Sequence, residues 1–530
     1  MVAGLFDRLA GLFVALWRAR RRVVGAMVAI VLLAGAWLYV DFSRDKAEAY
    51  FDDPVKHFKY GSTGGDRLVG IPIGIFKALP QLCREHLPGE GWQSLGFLFE
   101  EGMDRPIGTS MRHSLGFDRV SLNCAACHVG TYRATPETRP VIVPGMPANR
   151  LLLGEFVRFL ENCALDERFN PWQVIDAAEQ GGARYGLVDR LLLQYVAVPA
   201  MKEFLILARH RFRFLDSEPS PGPGRFDTFN PAKALLNWRY EALPPGETIG
   251  IVDYPSLWLQ GPREGMQLHW DGNNDSVPER NRSAAFGTGA VPTTIDRDSL
   301  SFIAKWLNSE RNTPPAWPFE IDRALAERGR PLYAEYCAAC HGKDGRDFDG
   351  ARVGKVEPIA RIATDPCRLE NYSYELSREQ GNLYSAYPEE RFRRFRKTDG
   401  YANAPLDGIW LRAPYLHNGS VPTIRDLLEP AESRPRVFYR GYDVVDRRKL
   451  GFVADVAEEN GRAFFRYETQ CVDEPAICAR EVNPENRHDD HRCVPSRWAG
   501  NSNRGHEGRA YGTHLSAEEK DAIVEFLKTF

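Results

Sequence analysis

A five-residue motif, Cys-Ala-Ala-Cys-His, occurs twice in the sequence, at residues 124–128 and 337–341. Two thiols three positions apart can each add to a vinyl group of one haem, and the histidine that follows can reach the iron as proximal ligand. A zinc knuckle or a redox dithiol also uses Cys-x-x-Cys, but neither requires histidine as the next residue. The sequence therefore predicts two covalently bound c-type haems, held by Cys124, Cys127, His128, Cys337, Cys340 and His341.

Length, charge and cysteine content limit the class of protein. A chain of 530 residues is too long for one compact core and suits two or three domains. The formal net charge of −3 at pH 7 gives no indication of nucleic-acid binding. Six cysteines outside the motifs suit an oxidising compartment, where they can pair in several ways. They are Cys83, Cys163, Cys367, Cys471, Cys478 and Cys493.

A basic segment followed by an apolar one, near the N-terminus, predicts membrane insertion. Four arginines within residues 18–22 precede the uncharged apolar run 23–40, which is long enough to span a bilayer. Arginines before the run and acidic residues after it favour a cytoplasmic start and an exported body. We expect a single-pass inner-membrane anchor at 23–40, a cytoplasmic segment at 1–22 and periplasmic haem domains. A cleaved signal peptide is the alternative, with Ala47-Glu48-Ala49 as the nearest small-x-small site.

Helical periodicity dominates the rest of the sequence. Apolar residues recur at helical spacing in residues 151–165, 187–214, 295–308, 321–337 and 515–530. Residues 47–154 are rich in Gly and Pro and predict loops and short helices around a cofactor. Neither half shows convincing strand alternation. The predicted fold class is mainly α, with two cytochrome c-like haem domains and long loops after one N-terminal transmembrane helix.

A proline-rich stretch, residues 312–318, predicts a linker between two haem domains. We place an N-terminal haem c domain at 41–311 and a C-terminal one at 312–530. Residues 459–505 are polar and contain three of the spare cysteines. They predict a surface excursion held by at least one disulfide.

The sixth ligand of the second haem follows partly by elimination. All seven methionines lie at or before Met266, so the second haem has no methionine ligand in its own domain. Its candidates are His417, His488, His491, His506 and His514. His488 and His491 lie in the polar excursion, and His417 can instead shape the haem pocket. His506 is preferred because it lies close before the last helix, with His514 as the alternative.

The first haem has several candidate ligands, and none stands in a compelling context. They are His113, Met146, Met201, Met266 and His269. An iron that does chemistry keeps a position open, so we expect a vacant or exchangeable site on the His128 haem, with Met146 as the main alternative. Peroxide cleavage also needs a distal acid–base group. Glu100, Glu101, His113 and His269 are available.

Residues 400–428, which begin Gly-Tyr-Ala-Asn-Ala-Pro-Leu-Asp-Gly-Ile-Trp, resemble the dihaem cytochrome c peroxidase and MauG superfamily. The similarity is greatest to its rubber-oxygenase-like branch. Residues 269–272, 434–452 and 505–507 resemble that branch too. The cysteine-bearing excursion and the N-terminal anchor depart from a secreted polymer-cleaving oxygenase.

The resemblance implies a division of labour between the two haems. The haem on His128 would bind peroxide or dioxygen, and the haem on His341 would supply or store electrons. The resemblance also implies bis-histidine ligation of the second iron by His341 and His506. Trp270 corresponds to a position between the haems, where an aromatic ring can help electrons pass; ordinary core packing is the alternative role.

These observations lead to three functional hypotheses. The first is a membrane-anchored periplasmic dihaem cytochrome c peroxidase, catalytic at His128 and Trp270, which takes electrons from a small cytochrome or cupredoxin-type donor. The second is a dioxygen-activating, rubber-oxygenase-like enzyme, and the third is a plain dihaem electron carrier. A polar turn is the preferred interpretation of residues 271–275, and a calcium ion, as in peroxidases of the resembled superfamily, is the alternative.

Overall fold

The computed structural model describes residues 2–472, 493 and 496–530, with the backbone alone for residues 2–10, 12 and 13. Helices joined by long loops dominate this part of the chain. The helices are α1 (Val2–Ser43), α2 (Pro54–Tyr60), α3 (Ile73–Leu82), α4 (Leu153–Leu165), α5 (Pro171–Gln180), α6 (Leu187–Leu192), α7 (Val198–Phe212), α8 (Asn230–Leu235), α9 (Val277–Gly287), α10 (Arg297–Leu307), α11 (Arg323–Tyr336), α12 (Ala338–His341), α13 (Ile359–Ile362), α14 (Cys367–Asn371), α15 (Tyr374–Leu383), α16 (Ile424–Leu427) and α17 (Ala517–Leu527).

The strands are short and pair in antiparallel ladders. They are β1 (Lys46–Ala47), β2 (Ile71–Pro72), β3 (Thr109–Ser114), β4 (Phe117–Leu122), β5 (Val129–Tyr132), β6 (Val141–Pro144), β7 (Arg225–Asp227), β8 (Ile251–Asp253), β9 (Val356–Pro358), β10 (Gly400–Ala402), β11 (Val437–Arg440), β12 (Val445–Asp446), β13 (Gly451–Phe452), β14 (Glu458–Glu459), β15 (Arg462–Ala463) and β16 (Phe465–Glu468). A four-stranded sheet has the order β1-β3-β4-β2, and the other ladders join two strands each.

The four-stranded sheet corrects the expectation of loops and short helices across residues 47–154. β3 and β4 form a hairpin whose turn residues, Leu115 and Gly116, both have positive φ, 54° and 78°. Polar side chains are buried here: Ser110 and Arg112 donate to the carboxylate of Asp66, which is 0% exposed. Because a buried ionic network takes the place of apolar residues, the alternation that identifies strands is missing from the sequence.

α1 extends the predicted apolar run into one long helix. Its segment Val14–Ser43 is long and apolar enough to cross a bilayer, and none of its apolar window is buried in the protein. A signal sequence near an N-terminus meets the same criteria, so the membrane anchor stays a prediction. The segment Leu187–Asp216 also meets them, although part of it packs into the protein.

One hydrophobic cluster contains side chains from both sides of residue 311, where we predicted a domain boundary. Met146 and Trp258 pack in it with Trp410. An ion pair also joins the two halves, since the guanidinium of Arg133 lies 2.6 Å from the carboxylate of Asp443. The two predicted haem domains are therefore packed against each other through a common core.

Helices α11 and α17 position the second haem motif, as the sequence predicts for residues 321–337 and 515–530. Asp322 caps α11, and Ser516 and Glu519 form the predicted capping box of α17. The two helices approach closely at Gly329, where a Cβ would lie 2.0 Å from the carbonyl oxygen of Ala522. A residue without a side chain is required at this crossing.

Two disulfides are described, Cys83–Cys163 and Cys367–Cys493. The second joins α14 to the polar excursion, which confirms that a disulfide holds residues 459–505. Cys471 is disulfide-bonded as well, and Cys478 lies outside the described residues.

Glu161 on α4 makes stability depend on pH. Its side chain is 7% exposed, and burial raises its pKa to about 7, opposed in part by Arg209. Because the folded pKa exceeds the unfolded value, stability is present in full below about pH 4.5 and is lost as the pH rises towards 7. We expect Glu161→Gln to raise the free energy of unfolding by about 1–3 kcal/mol at pH 8 and to change it little at pH 4.5. Denaturant titrations at the two pH values measure this.

The control for this prediction is Glu203→Gln, at an exposed position on α7. This control variant should change stability little at either pH. An equal gain for Glu161→Gln at pH 4.5 and pH 8 would contradict the assignment to the buried carboxylate.

Candidate functional site

The first Cys-x-x-Cys-His motif forms a tight turn directly after β4. Asn123 caps it, accepting from the backbone N–H of Ala125 at 3.0 Å and donating to the carbonyl of Gly61 at 3.0 Å. The Nδ1 of His128 lies 2.9 Å from the carbonyl oxygen of Pro255, to which it donates. This bond leaves the Nε2 lone pair to bind a metal. Burial lowers the pKa of His128 to about 3, so the imidazole is neutral, as iron binding requires.

The second motif repeats this arrangement. α12 follows α11 directly, and the hydroxyl of Tyr333 donates to the carbonyl of Gly342 at 2.8 Å. The Nδ1 of His341 donates to the carbonyl of Ala404 at 2.7 Å. Burial lowers the pKa of His341 as well. Both motif histidines are thus neutral and present Nε2 as the metal-binding atom.

The four motif cysteines are free thiols, in contrast to the other described cysteines. Burial raises the pKa of Cys124 to about 11 and those of Cys127 and Cys337 to about 12. In each motif the second cysteine directly precedes the histidine. The residues of both motifs therefore fit covalent haem attachment.

His506 faces His341 at a distance that suits one shared iron. The two ring centroids are 6.3 Å apart. A metal–imidazole bond is about 2.0 Å long and the ring centre lies about 1.1 Å beyond the nitrogen, so two imidazoles on one metal have centroids about 6 Å apart. Burial, and then the neighbouring His341, lower the pKa of His506 to about 3. The pair fits a bis-histidine haem.

Backbone interactions hold His506 in an unfavourable conformation. Its φ is +48°, in the left-handed region that non-glycine residues seldom adopt. The backbone N–H of His506 donates to the carbonyl of Ile362 at 2.7 Å. The guanidinium of Arg434 donates to the carbonyls of Gly505 at 2.9 Å and His506 at 3.3 Å. These bonds fix the direction in which the imidazole points.

The other candidate ligands of the second haem lie elsewhere. His417 is buried and stacks face to face on Tyr401, with a centroid distance of 4.0 Å. His514 is exposed and packs edge-on against Tyr336 at 5.5 Å. Two further candidates, His488 and His491, lie outside the described residues. The assignment of His506 stays a prediction that this geometry favours.

The buried Arg280 interacts electrostatically with both His128 and His269. Burial, and then the charge of Arg280, lower the pKa of His269 to about 4. The same charge lowers the pKa of His128 and acts on Cys124. The Nδ1 of His269 is 2.6 Å from the Oδ1 of Asn273, which leaves its Nε2 available. The charge of Arg280 thus connects His269 to the first motif, and His269 stays a predicted acid–base candidate.

Arg280 was missed by the sequence analysis, because a single arginine in a helix has no spacing signal. It lies on α9, is 9% exposed and has a pKa lowered to about 10 by burial. Among the described residues, none accepts a hydrogen bond from its guanidinium. A buried cation without a protein partner indicates a place for an anion or a polar ligand.

The methionine candidates for the first haem lie in different parts of the fold. Met146 is fully buried, and its neighbour Gly145 donates to the carbonyl of His128 at 2.9 Å, which holds Met146 on the side of the motif turn. Met201 lies on α7, and Met266 packs against the loop that follows α12.

The remaining acid–base candidates are engaged elsewhere. His113 lies on β3, with Nδ1 2.9 Å from the carboxylate of Asp118. Glu100 accepts from the ammonium of Lys59 at 2.6 Å, and Glu101 is exposed.

Trp270 connects to the first proximal histidine through one loop. Its Nε1–H donates to the carbonyl of Asp253 at 2.7 Å. Asp253 lies two residues before Pro255, whose carbonyl accepts from His128. The indole is thus two hydrogen bonds and one short peptide segment from this imidazole.

The backbone of Trp270 makes the corresponding connection to the second histidine. Its carbonyl accepts from the N–H of Ala402 at 2.8 Å. Ala402 lies two residues before Ala404, whose carbonyl accepts from His341. A continuous path therefore joins the two proximal imidazoles through Trp270.

The segment 271–275 is a polar turn whose carboxylates face cations. Asp271 lies 3.2 Å from Arg368, and Asp275 pairs with Arg394 at 2.6 Å and with Arg396 at 2.8 Å. Within the described residues, no group of three or more His, Cys, Asp or Glu side chains could hold a metal ion. The structure supports the polar turn and gives no support to a calcium ion.

Comparison with known families gives a match in the half of the chain that contains the second motif. Residues 400–439 match the family described as RoxA-like, cytochrome c-like. This match shows a similarity of residues 400–439 to that family. A segment of this kind implies covalently bound haem c and agrees with the rubber-oxygenase-like branch of the resemblance. It includes Ala402 and Ala404, which connect Trp270 to His341.

Two uncharacterized proteins of Sinorhizobium fredii (strain NBRC 101917 / NGR234) are similar to this chain. The protein y4iM is 34% identical over 259 residues, which are 46% of this chain and 58% of y4iM. The protein y4iJ is 25% identical over 504 residues, which are 77% of this chain and 76% of y4iJ. Neither name states an activity.

We expect His506→Ala to convert a low-spin second haem into a high-spin or water-ligated one. The physical reason is that the second half contains no methionine to replace the lost imidazole. Electron paramagnetic resonance and optical spectra measure the change, and imidazole added to the buffer should restore the low-spin spectrum. His514→Ala is the matched control. An unchanged spectrum for His506→Ala, with the change appearing in His417→Ala, would move the ligand to His417.

Proposed function

We propose that this chain is a membrane-anchored, exported dihaem cytochrome c that reduces hydrogen peroxide at the haem on His128. Residues 41–311 house this haem, and residues 312–530 house an electron-transfer haem on His341 and His506. A haem iron with an exchangeable sixth position can bind and reduce peroxide, and a six-coordinate haem can store and deliver electrons.

The observation that carries the proposal is the asymmetry between the two histidine sites. His341 has a second imidazole at the centroid separation that one metal requires. The ring that contacts His128 is that of Tyr254, at 6.3 Å, and no described histidine faces His128 in the same way. The geometry at His341 therefore suits a metal bound by two imidazoles. The first site has reactive polar groups instead of a second facing imidazole.

His269 and Arg280 supply those groups. A neutral imidazole with an available Nε2 can accept a proton from one peroxide oxygen and return it to the other. A buried guanidinium, charged at neutral pH, can stabilise the negative charge that develops as the oxygen–oxygen bond breaks. Arg280 lies within electrostatic range of both the first motif and His269, since its charge acts on His128, Cys124 and His269.

The path through Trp270 supports electron flow between the two haems. It joins the proximal imidazoles by hydrogen bonds and short peptide segments, and the indole lies in its middle. Electrons would enter at the His341 haem from a small cytochrome or cupredoxin-type donor.

We further propose that the chain is exported and anchored in the inner membrane. Disulfides form in oxidising compartments, so the two described disulfides support a location outside the cytoplasm. The apolar segment of α1 is the proposed inner-membrane span, with the haem-binding halves in the periplasm.

The RoxA-like match favours a second candidate, a dioxygen-activating oxygenase that acts on a polyisoprenoid. The matched residues 400–439 lie in the half that holds His341 and include neither His128 nor Arg280. The match therefore bears on the electron-transfer haem more directly than on the haem where substrate reacts. A buried charge beside His128 suits peroxide better than a hydrocarbon.

We expect the purified protein to oxidise a reduced cytochrome or dye when hydrogen peroxide is added. His128→Ala should abolish this turnover, and Arg280→Ala should lower it by about 10²-fold, because charge stabilisation in the transition state is lost. Arg263→Ala, which removes a neighbouring guanidinium, is the control for Arg280.

Other outcomes decide between the candidates. Oxidation of a polyisoprenoid by dioxygen, with no reaction towards peroxide, would favour the oxygenase. If neither peroxide, cyanide nor carbon monoxide binds in any redox state, the chain is an electron carrier.

We expect Trp270→Phe to slow electron transfer between the haems, because it removes the Nε1–H bond to Asp253 and the larger ring. Stopped-flow oxidation of the second haem after peroxide addition measures this rate. Both haem spectra should stay near those of the wild type. The control is Trp306→Phe, because Trp306 is also a buried indole but packs on Phe58. This substitution should leave the rate unchanged. Equal rates in the two variants would remove Trp270 from the path.

A further inference from the structure

The segment Leu187–Asp216 presents an uncovered apolar face. Leu187 and Tyr195 are 74% and 68% exposed. The exposed apolar side chains of this segment together form what we call the outer face. They are Leu187, Val188, Leu191, Tyr195, Val196, Phe204 and Leu207. Soluble proteins rarely expose a continuous apolar surface without a partner.

The opposite side of the same segment is fixed in the protein. Leu193, Val198 and Leu205 are buried in the main hydrophobic cluster of the N-terminal half. The segment therefore cannot cross a bilayer, although its length and composition would allow it. A helix held in this way can meet lipid with its outer face alone.

Exposed basic residues lie at both ends of the outer face. The segment from residue 184 to residue 213 contains two acidic residues, Asp189 and Glu203, and six basic ones: Arg184, Arg190, Lys202, Arg209, Arg211 and Arg213. Arg184 and Arg190 lie near its start, and Arg211 and Arg213 lie exposed at its end. An apolar stripe between arginines is typical of helices that lie in the interface of an anionic membrane.

The C-terminal end of α1 and the residues just after it contact the β3–β4 hairpin. The ring of Phe42 packs against Gly116 at the tip of the β3–β4 hairpin. The Nε2 of His113 lies 3.4 Å from Asp41, and Arg112 binds Asp45 at 2.8 Å. The end of the proposed span is therefore fixed to this hairpin.

Paired strands and one helix connect the hairpin to the start of the outer face. β4 pairs with β2, which runs into α3. Gly74, in the first turn of α3, lies against the hydroxyl of Tyr185, two residues before α6 begins at Leu187. Leu68 and Leu115, beside this connection, are exposed apolar residues as well. The outer face thus begins close to the site where the anchor would leave the membrane.

We propose that the outer face docks on the surface of the bilayer that α1 spans, with its apolar side chains among the acyl chains and its arginines at anionic lipid phosphates. This inference rests on the proposed anchoring of α1. Docking would hold the haem-binding halves against the membrane in one orientation and limit the directions from which an electron donor can approach.

The test uses the full haem-loaded chain reconstituted in phosphatidylglycerol-containing vesicles with a photoactivatable diazirine phospholipid. After illumination, lipid adducts are located by peptide mass spectrometry. We expect adducts in α1 and in residues 187–207, and none in α17, which is exposed at Glu518 in the other half of the chain. High salt or purely zwitterionic vesicles should lower the yield in residues 187–207 and leave that in α1 unchanged.

A triple variant, Leu191→Glu, Tyr195→Glu and Leu207→Glu, should reduce the adducts in residues 187–207 to the level of α17. Its haem spectra should match those of the wild type, since the three side chains are exposed and make no contact with the haem motifs. A variant that keeps its spectra and its full adduct yield would overturn the proposal.

The two proposals fail in distinguishable ways. Adducts in α1 with none in residues 187–207 would overturn the docking and leave the anchor intact. A chain that gains no adduct in α1 and does not float with vesicles would overturn both. Protection of Tyr195 from hydroxyl-radical oxidation without a lipid adduct would show that a second copy or another protein covers the face, and the docking proposal would fail.

Discussion

The hydrogen bond from each motif histidine to a backbone carbonyl is the constraint on which the rest of the site depends. It fixes which nitrogen faces the metal, and it requires the loop that carries the carbonyl to be immobile. The two accepting carbonyls belong to Pro255 and Ala404, and Trp270 bonds to both of their loops. The orientation of one imidazole is therefore mechanically linked to that of the other. The hydrophobic cluster that contains Trp258 and Trp410 also restricts movement, because side chains from both halves pack in it.

Buried ion pairs hold the first of these loops. The carboxylate of Asp253 binds Arg440, whose guanidinium also donates to the carbonyl of Gly419 at 2.7 Å. Both partners are buried, so removal of either would leave an uncompensated charge in the interior, at a cost of several kcal/mol. Such pairs contribute little net stability compared with apolar packing, but they tolerate little displacement. This network joins residues from both halves, which suits a loop that must hold an imidazole at a fixed angle.

The features that could be predicted from sequence are those that depend on residues close together in the chain. The two motifs, the helix that leads into the second and the capped last helix are all contiguous, and the absence of methionine after Met266 is a matter of composition. The β3–β4 hairpin was missed because its buried side chains are polar and bind Asp66. Arg280 was missed because its neighbours come from distant parts of the chain. The connections of Trp270 run through backbone carbonyls, which leave no pattern in a side-chain sequence.

Backbone strain distinguishes His506 and His269 from the two motif histidines. His506 and His269 both lie in the left-handed region, with φ of 48° and 63°, whereas His128 and His341 do not. Each such residue costs about 1–3 kcal/mol, which the surrounding bonds must offset. Arg434 does so for His506, and Asn273 holds the imidazole of His269. Glycine could adopt this conformation at both positions without this cost. The strained conformations therefore indicate that each histidine is held for the direction of its side chain.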